Sequence, residues 1–357
     1  MNRLIDLLPV LLAVLLLYKC SVVKPAGTLR EDYLSPHGCL SARGFFAVTV
    51  IMHHIAQYTS SGLLFHRFEY LGNMPVSVFF FISGYGLMRR LSSDAAYGKS
   101  ILRRRLPKAA VPFFLAAAAY KLMCLCIGQE MSVGDMLGYL VNSGNSLCIL
   151  WYFVVIAAAY FLFAVSALMF GGKPKAALIS MVLCWAAYVI AGSCTGLGEW
   201  WYNTVHLLPI GMAWALYEDN ILCAVKKCWL PVTVFCISGF ALIFTQYDSI
   251  YALCPTAWFH LTLAVLRNMF FTLGFVLITM KLRFGNRALD LLGKVSLELY
   301  AVQLIPLDLF HSEAIWIDSD LIYALAVLFT TVTVSVLIYA VKKKIKTSIA
   351  NKQPSLR

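Results

Sequence analysis

Apolar runs of membrane-crossing length recur along this chain, at about 4–23, 40–58, 74–88, 109–127, 147–170, 176–193, 203–217, 229–246, 258–280, 289–310 and 321–341. A helix rising ~1.5 Å per residue needs about 20 apolar residues to cross ~30 Å of hydrocarbon, and most of these runs approach that length. With 61% hydrophobic and 13% charged residues and a mean hydropathy of +0.78, the composition excludes an ordinary soluble domain. Hydrocarbon offers the backbone no hydrogen-bond partners, so each run must satisfy its own as a helix. The prediction is an all-α, polytopic transmembrane helix bundle of about 11 spans.

Charge assigns direction to these spans. If alternate connections face the cytoplasm, the inner set is 19–43, 89–108, 171–175, 218–228, 281–294 and 342–357, and it holds 25 of the 29 Lys and Arg residues. Arg3 and Arg67 alone fall in outer connections, while Lys121 and Arg267 lie within spans. The positive-inside rule then places the amino terminus outside and the carboxyl terminus in the cytoplasm of a multi-pass plasma-membrane protein. The net charge of +12 follows from this topology and from anionic headgroups, so membrane lipids are expected partners and nucleic acid is not.

The first run has Arg3 ahead of its apolar core and no small-residue cleavage site behind it, so it reads as a retained helix. Most of the eleven cysteines sit in apolar runs as small hydrophobes, and Cys124-Leu-Cys126 lacks metal-ligand spacing; neither a disulfide framework nor a metal is expected. No connection exceeds about 25 residues, so the chain reads as one membrane domain over 39–341. It is preceded by an extra helix and connection (1–38) and followed by a basic tail (342–357).

Within this frame the segment Arg43-Gly-Phe-Phe-Ala-Val-Thr-Val-Ile-Met-His53-His54 stands out, because ionisable groups in hydrocarbon are costly and mark working sites or structural polar pairs. Eleven residues make about three turns, which puts Arg43 and His54 on one helix face roughly 16 Å apart. His53 falls about 80° off that face. Histidine suits general-base work and arginine suits phosphate or carboxylate. Further along, Ser83, Gly84 and Gly86 permit close helix packing or leave room for a ligand. A basic stretch with Arg103, Arg104 and Arg105 is either positive-inside charge or a collar for an anionic cofactor. Arg267 and Glu298 are expected to pair within the bundle, and His206 and His260 to be interfacial. Glu199-Trp200-Trp201-Tyr202 reads as an interfacial belt or as a sugar-stacking surface beside a carboxylate, and Trp151 with Tyr152 carries the same two readings.

These segments, in this order, resemble the acyltransferase 3 family of integral membrane acyltransferases. RGFFAVTVIMHH is similar to its Arg-x10-His signature, VSVFFFISGYGL to its Phe-Phe-x-x-Ser-Gly segment, RRRLPKAAVPFF to its basic stretch leading to a proline at Pro112, and LWYFVVI to its Trp-aromatic segment. LLGKVSLELYAVQ at 291–303 resembles its Gly-x-x-Ser-Tyr-x-x-Tyr-x-x-His pattern, with Leu297 in place of an aromatic and Gln303 in place of the last histidine. The resemblance covers about 39–341 and implies ten family-like spans, so the helix at 4–23 is an addition.

The resemblance implies an O-acyltransferase that moves an acyl group, acetyl above all, from cytoplasmic acyl-CoA to a hydroxyl of a cell-envelope carbohydrate or glycolipid. It implies His54 as base, Arg43 with Arg103, Arg104 and Arg105 on the CoA phosphates, and Ser83 at the oxyanion. Substrate contacts are expected from Trp151, Tyr152, Glu298, Tyr300 and Gln303. The competing reading is a multi-span transporter of a small polar or anionic solute, which predicts two matched halves. One six-residue echo of common membrane types, at Ile82–Leu87 and Ile237–Leu242, is all the repetition the chain offers, and with motifs in single copy it argues against two matched halves.

Overall fold

The computed structural model describes residues 3–23, 28–142 and 146–352. Its helices are α1 (Leu7–Leu17), α2 (Leu40–Ala56), α3 (Asn73–Ser93), α4 (Tyr97–Cys126), α5 (Val133–Val141), α6 (Trp151–Met169), α7 (Pro174–Cys194), α8 (Leu207–Leu216) and α9 (Glu218–Thr245). They continue with α10 (Tyr247–Tyr251), α11 (Ala257–Thr279), α12 (Arg287–Lys294), α13 (Ser296–Val302), α14 (Leu304–Leu309) and α15 (Asp320–Lys352). The described strands are two short antiparallel pairs, Ser21–Val22 with Leu282–Arg283 and His311–Ser312 with Ile315–Trp316. The protein is an all-α membrane bundle.

Contacts between connections separate the molecule into two ends. At the end that carries Arg43, Arg30 donates to the carbonyls of Thr279 (3.1 Å) and Leu282 (2.8 Å), and Arg283 meets Asp32 at 2.7 Å. The same end joins Tyr33, Tyr85 and Arg89 on the Glu218 carboxylate, at 2.8, 2.8 and 3.3 Å. At the other end Asp6 accepts from the amides of Leu63, Leu64 and Phe65, Asp320 accepts from those of Ser60 and Ser61, and Glu199 meets His260 at 2.7 Å. Each of these ties joins connections, or the ends of runs that adjoin them, that the alternating topology puts on the same side. Outward-facing Phe114, Leu183, Phe235 and Phe329, each more than 60% exposed, make the flank apolar, as lipid requires.

Six described helices are long and apolar enough to cross a membrane alone: Tyr97–Cys126, Ser146–Met169, Pro174–Cys194, Glu218–Thr245, Ala257–Thr279 and Asp320–Ile345. Several predicted runs are built differently. The 4–23 run is helical only over Leu7–Leu17 after a 3-10 turn, and 203–217 only over Leu207–Leu216. The 289–310 run is divided among α12, α13 and α14, because Val295 leaves helical geometry (φ −102°, ψ 13°) and Pro306 offers no N–H to the Val302 carbonyl, which interrupts the ladder around Gln303. Hydropathy counts apolar residues but is blind to such breaks. In α9 the backbone kinks at Cys228 (φ −135°, ψ 28°), where the predicted span begins, so an inner foot over 218–227 precedes it. The tail from 342 continues α15 as far as Lys352, and its last residues, 353–357, lie outside the described residues.

The connection after α4 contains α5, which the hydropathy pattern missed. Ser132 and Asp135 form a reciprocal capping box at its start, and Val133, Leu137 and Val141 are exposed at helical spacing. None of its residues is buried; Met136 and Leu140 pack against the core while Val133, Leu137 and Val141 face outward.

The clamp between Asp32 and the 280–283 turn gives a pH signature. Burial raises the Asp32 carboxyl, but hydrogen bonds from Arg283 and Arg30 outweigh it and hold the group below the ordinary aspartate value of 3.8. A lowered carboxyl stabilises the fold above that ordinary value and loses the contribution as pH falls through its folded value. Wild type should therefore melt above Asp32→Asn at neutral pH, with the gap closing below about pH 4. Thermal melts of detergent-solubilised protein check this, and a gap that persists at low pH refutes it. Asp32 is 38% exposed, so solvent keeps the effect small.

Candidate active site

The Arg43 end of α2 is fixed by glycines. A Cβ on Gly44 would lie 2.1 Å from the Leu289 carbonyl oxygen, and one on Gly293 would lie 2.0 Å from that of Leu40. α2 and α12 therefore touch backbone to backbone, with Ser41 donating to Asp290 at 2.5 Å beside the contact. Phe46 anchors the same helix by edge contacts to Phe275 (4.7 Å), Phe271 (5.9 Å) and Phe79 (6.5 Å). Held this way, Arg43 is half-buried, and its one described hydrogen bond runs from Nη2 to Ser296 Oγ at 3.2 Å.

A second close contact places Ser83. Gly84 faces the Leu208 carbonyl and Gly211 that of Phe81, with added Cβ atoms at 2.0 and 2.1 Å, so α3 and α8 are pressed together. Ser83 lies off this seam against the hydroxyls of Tyr152 and Tyr160. Tyr152 also feels the charge of Arg43, and Tyr160 meets Arg105, whose Nε donates to Tyr97 at 3.3 Å. A Cβ on Gly86 would clear Arg105 Nη2 by 4.0 Å, which leaves the guanidinium room. Arg43, Ser83, Arg105, Tyr152 and Tyr160 thus border one polar region. Arg103 and Arg104 point outward and are exposed.

An aromatic wall backs this region. Tyr300 sits edge-on to Tyr152 (5.3 Å) and Phe153 (5.4 Å), Phe80 meets Tyr152 (5.2 Å) and Trp151 (6.4 Å), and Trp151 meets Trp201 (6.1 Å). Trp151 and Tyr152 are therefore buried rather than surface platforms. The Tyr300 hydroxyl is held by the Ile149 carbonyl. Gln303 is fully buried; its Nε2 donates to the Tyr300 carbonyl at 3.2 Å, and its Oε1 has no partner. A buried amide oxygen left unpaired is costly, and such atoms collect where ligands bind.

The paired histidines part company. His53 Nδ1 bonds to the Phe68 carbonyl at 3.0 Å, and its ring fills the space where a Gly72 side chain would be, 2.3 Å from an added Cβ. His54 Nδ1 faces Gln57 Oε1 at 3.1 Å, and no described hydrogen bond engages its Nε2. With the carbonyl oxygen of Gln57 on Nδ1, the proton sits there and Nε2 presents its lone pair. His53 is wedged; His54 is available.

Two expectations fail. Arg267 and Glu298 do not pair: Glu298 meets Lys342 at 3.0 Å at the Arg43 end, whereas Arg267 stacks on the Tyr247 ring at 5.4 Å at the other. The broken run shortens the climb of the chain, so Glu298 stays near the end that α15 brings Lys342 to. His206 is not an ordinary interfacial histidine either, since its ring is buried against α11 beside the Val265 backbone. Sequence reading also missed Gln57, Tyr97, Tyr160 and Ser296, whose residue types are too common in membrane helices to draw attention. Asp308 had the same signal as Glu298, a carboxylate in an apolar run. It takes hydroxyl donors from Tyr58 (2.8 Å), Ser146 (2.6 Å) and Tyr120 (2.5 Å), one turn beyond His54.

The fold is a helical membrane bundle in which an imidazole and a guanidinium share one helix and the guanidinium borders a cluster of hydroxyls. The family model for the acyltransferase domain, acyltransferase 3, matches residues 41–340, so the chain belongs to the acyltransferase 3 family. The match begins just after the first helix and its connection. No curated protein and no solved structure matches the chain.

Proposed function

We propose that this transferase moves an acetyl group from cytoplasmic acetyl-CoA to a hydroxyl of a cell-envelope carbohydrate, with the Arg43 end in the cytoplasm. The observation that carries the proposal is the free Nε2 of His54 three turns above Arg43 on α2. The excess of Lys and Arg at the Arg43 end supports the orientation, amino terminus outside and carboxyl terminus inside the plasma membrane. The half-buried Arg43, spoken for by one serine, and Arg105 with open space at Gly86 fit phosphates through charge-assisted hydrogen bonds.

His54 Nε2 takes the proton of the acceptor hydroxyl as that oxygen bonds to the thioester carbonyl carbon. Ser83 lies level with Arg43, about three turns from His54, because α3 runs antiparallel to α2 with Phe79 against Phe46 and Gly72 against His53. With Tyr152 and Tyr160 it is assigned to the donor beside Arg43 and Arg105, and not to the carbonyl oxygen. The carbon–sulfur bond then breaks, and the proton on His54 returns to the departing thiolate. Tyr300 and Gln303 line the path, the orphan Gln303 oxygen accepting from the acceptor. Arg103, Arg104 and Glu298 have no part in it.

The test is binding and turnover of radiolabelled acetyl-CoA by the purified protein. Saturable binding is expected, weakening with salt and about tenfold or more in Arg43→Ala. Envelope glycans compared by mass spectrometry with and without the protein should differ by acetyl groups. A protein that binds no acetyl-CoA and alters no glycan ends the proposal.

A further inference from the structure

Unsatisfied polar atoms are concentrated at the His54 end. Glu199 Oε1, Trp200 and Trp201 Nε1, Asn203 Oδ1, Thr204 Oγ1, Arg267 Nε and Asn268 Oδ1 are all buried without partners. Such atoms are few in a folded protein, so a run of them from 199 to 204 with two neighbours on α11 needs an explanation. Of these residues Glu199 borders a cavity of about 340 Å³, which Tyr202, Tyr251, Trp258, His260 and Ser193 also line. Its size is at the lower end of the range for small-molecule sites, about 300–1,000 Å³.

The lining has a definite chemistry. Glu199 Oε2 meets His260 Nδ1 at 2.7 Å, which leaves Oε1 free as an acceptor. His260 is held between the edges of Tyr247 and Tyr251, each 5.4 Å away, and its side chain is 42% exposed. Trp258 stands 55% exposed at the rim. Burial raises the Glu199 carboxyl, and His260 and Arg267 oppose it only in part. Flat aromatic faces suit the C–H face of a pyranose ring, while a carboxylate oxygen and an imidazole suit its hydroxyls. An apolar ligand would leave these polar atoms unpaired, and a strong anion would meet the Glu199 carboxylate.

We propose that this cavity is a saccharide subsite which binds a pyranose of the acceptor glycan at the outer end of the bundle. Trp201, which neighbours Tyr202 and touches Trp151, connects the subsite to the aromatic wall of the active site. The inference rests on the acyltransferase reading for the role of the sugar, but not for its binding.

The test uses the full chain in a detergent with no sugar headgroup. Methyl glucoside, methyl galactoside and N-acetylglucosamine are titrated separately while tryptophan emission is followed. At least one should give a saturable change in the millimolar range, weakened about tenfold or more in Glu199→Gln and in Trp258→Ala. Trp258 is exposed and Gln matches Glu in shape, so both variants should melt with wild type. No saturable response to any of the three, or one unchanged in both variants, overturns the subsite. Acetyl-CoA binding by wild type is measured alongside. A protein that takes the glycoside and not acetyl-CoA keeps the subsite and loses the transferase reading; the reverse result loses the subsite alone.

Discussion

Replacing His54 by Ala should lower acetyl transfer about a hundredfold to ten-thousandfold, the usual contribution of a positioned general base. The fold should survive, because the side chain is half-buried and its described hydrogen bond goes to Gln57, a neighbour on its own turn. Melting within about 1 kcal/mol of wild type is expected, as for a substitution that opens no core cavity. His54→Gln should be equally inactive, since an amide hydrogen-bonds but cannot carry the proton between hydroxyl and thiolate. Single-turnover transfer from radiolabelled acetyl-CoA measures the loss. Donor binding should stay close to wild type, because the phosphates are assigned to Arg43 and Arg105, about three turns away. Wild-type transfer by His54→Ala would remove the base from the mechanism and leave the family assignment in place.

The choice of His54 over its neighbour illustrates what one-dimensional pattern conveys. Helix phase places His54 on the face of Arg43 and turns His53 away, and the structure gives His53 a packing role against Gly72 and Phe68. Phase is a local property, so sequence suffices. The same is true of which connections share an end, because charge and run length alternate together. Partnerships across the bundle are different in kind. Arg267 and Glu298 each sit ten residues into an apolar run, yet one faces Tyr247 and the other Lys342. Their depths depend on where the backbone breaks, and the only signals of those breaks are Gly293 before Val295 and Pro306 after Gln303, which a count of apolar residues does not weigh. Asp308 carries a readable signal, a carboxylate among apolar residues, but its partners Tyr58, Tyr120 and Ser146 come from three distant segments. Buried tyrosines such as Tyr160, which meets Ser83 and Arg105, carry none.

The glycines bear most directly on how this site is built, and Gly44→Ala should damage the fold. The added Cβ would lie 2.1 Å from the Leu289 carbonyl oxygen and 2.8 Å from the Gly293 nitrogen. Both are backbone atoms of a helix, so neither can swing aside, and α2 must move off α12. Overpacking costs about 1–3 kcal/mol where side chains can give, and rigid neighbours put this site at the upper end or beyond. Between membrane helices close packing is a leading source of attraction, since lipid tails are as apolar as the helix faces. The move also displaces Arg43, the next residue, relative to Ser296 on α13. A misplacement of about 1 Å near a reacting group can cost roughly a hundredfold in rate. Gly44→Ala should therefore melt below wild type and transfer acetyl slowly, with weakened donor binding. Gly293→Ala should do the same from the other side of the seam, where its Cβ would meet the Leu40 carbonyl oxygen at 2.0 Å. Because either change opens the same contact, the double variant should lose less stability than the two losses added. Gly138→Ala is the control: nothing lies within 4 Å of its added Cβ, and its melt should stay within about 0.5 kcal/mol of wild type. If Gly44→Ala melts with that control, the backbone contact between α2 and α12 does not hold Arg43 in place.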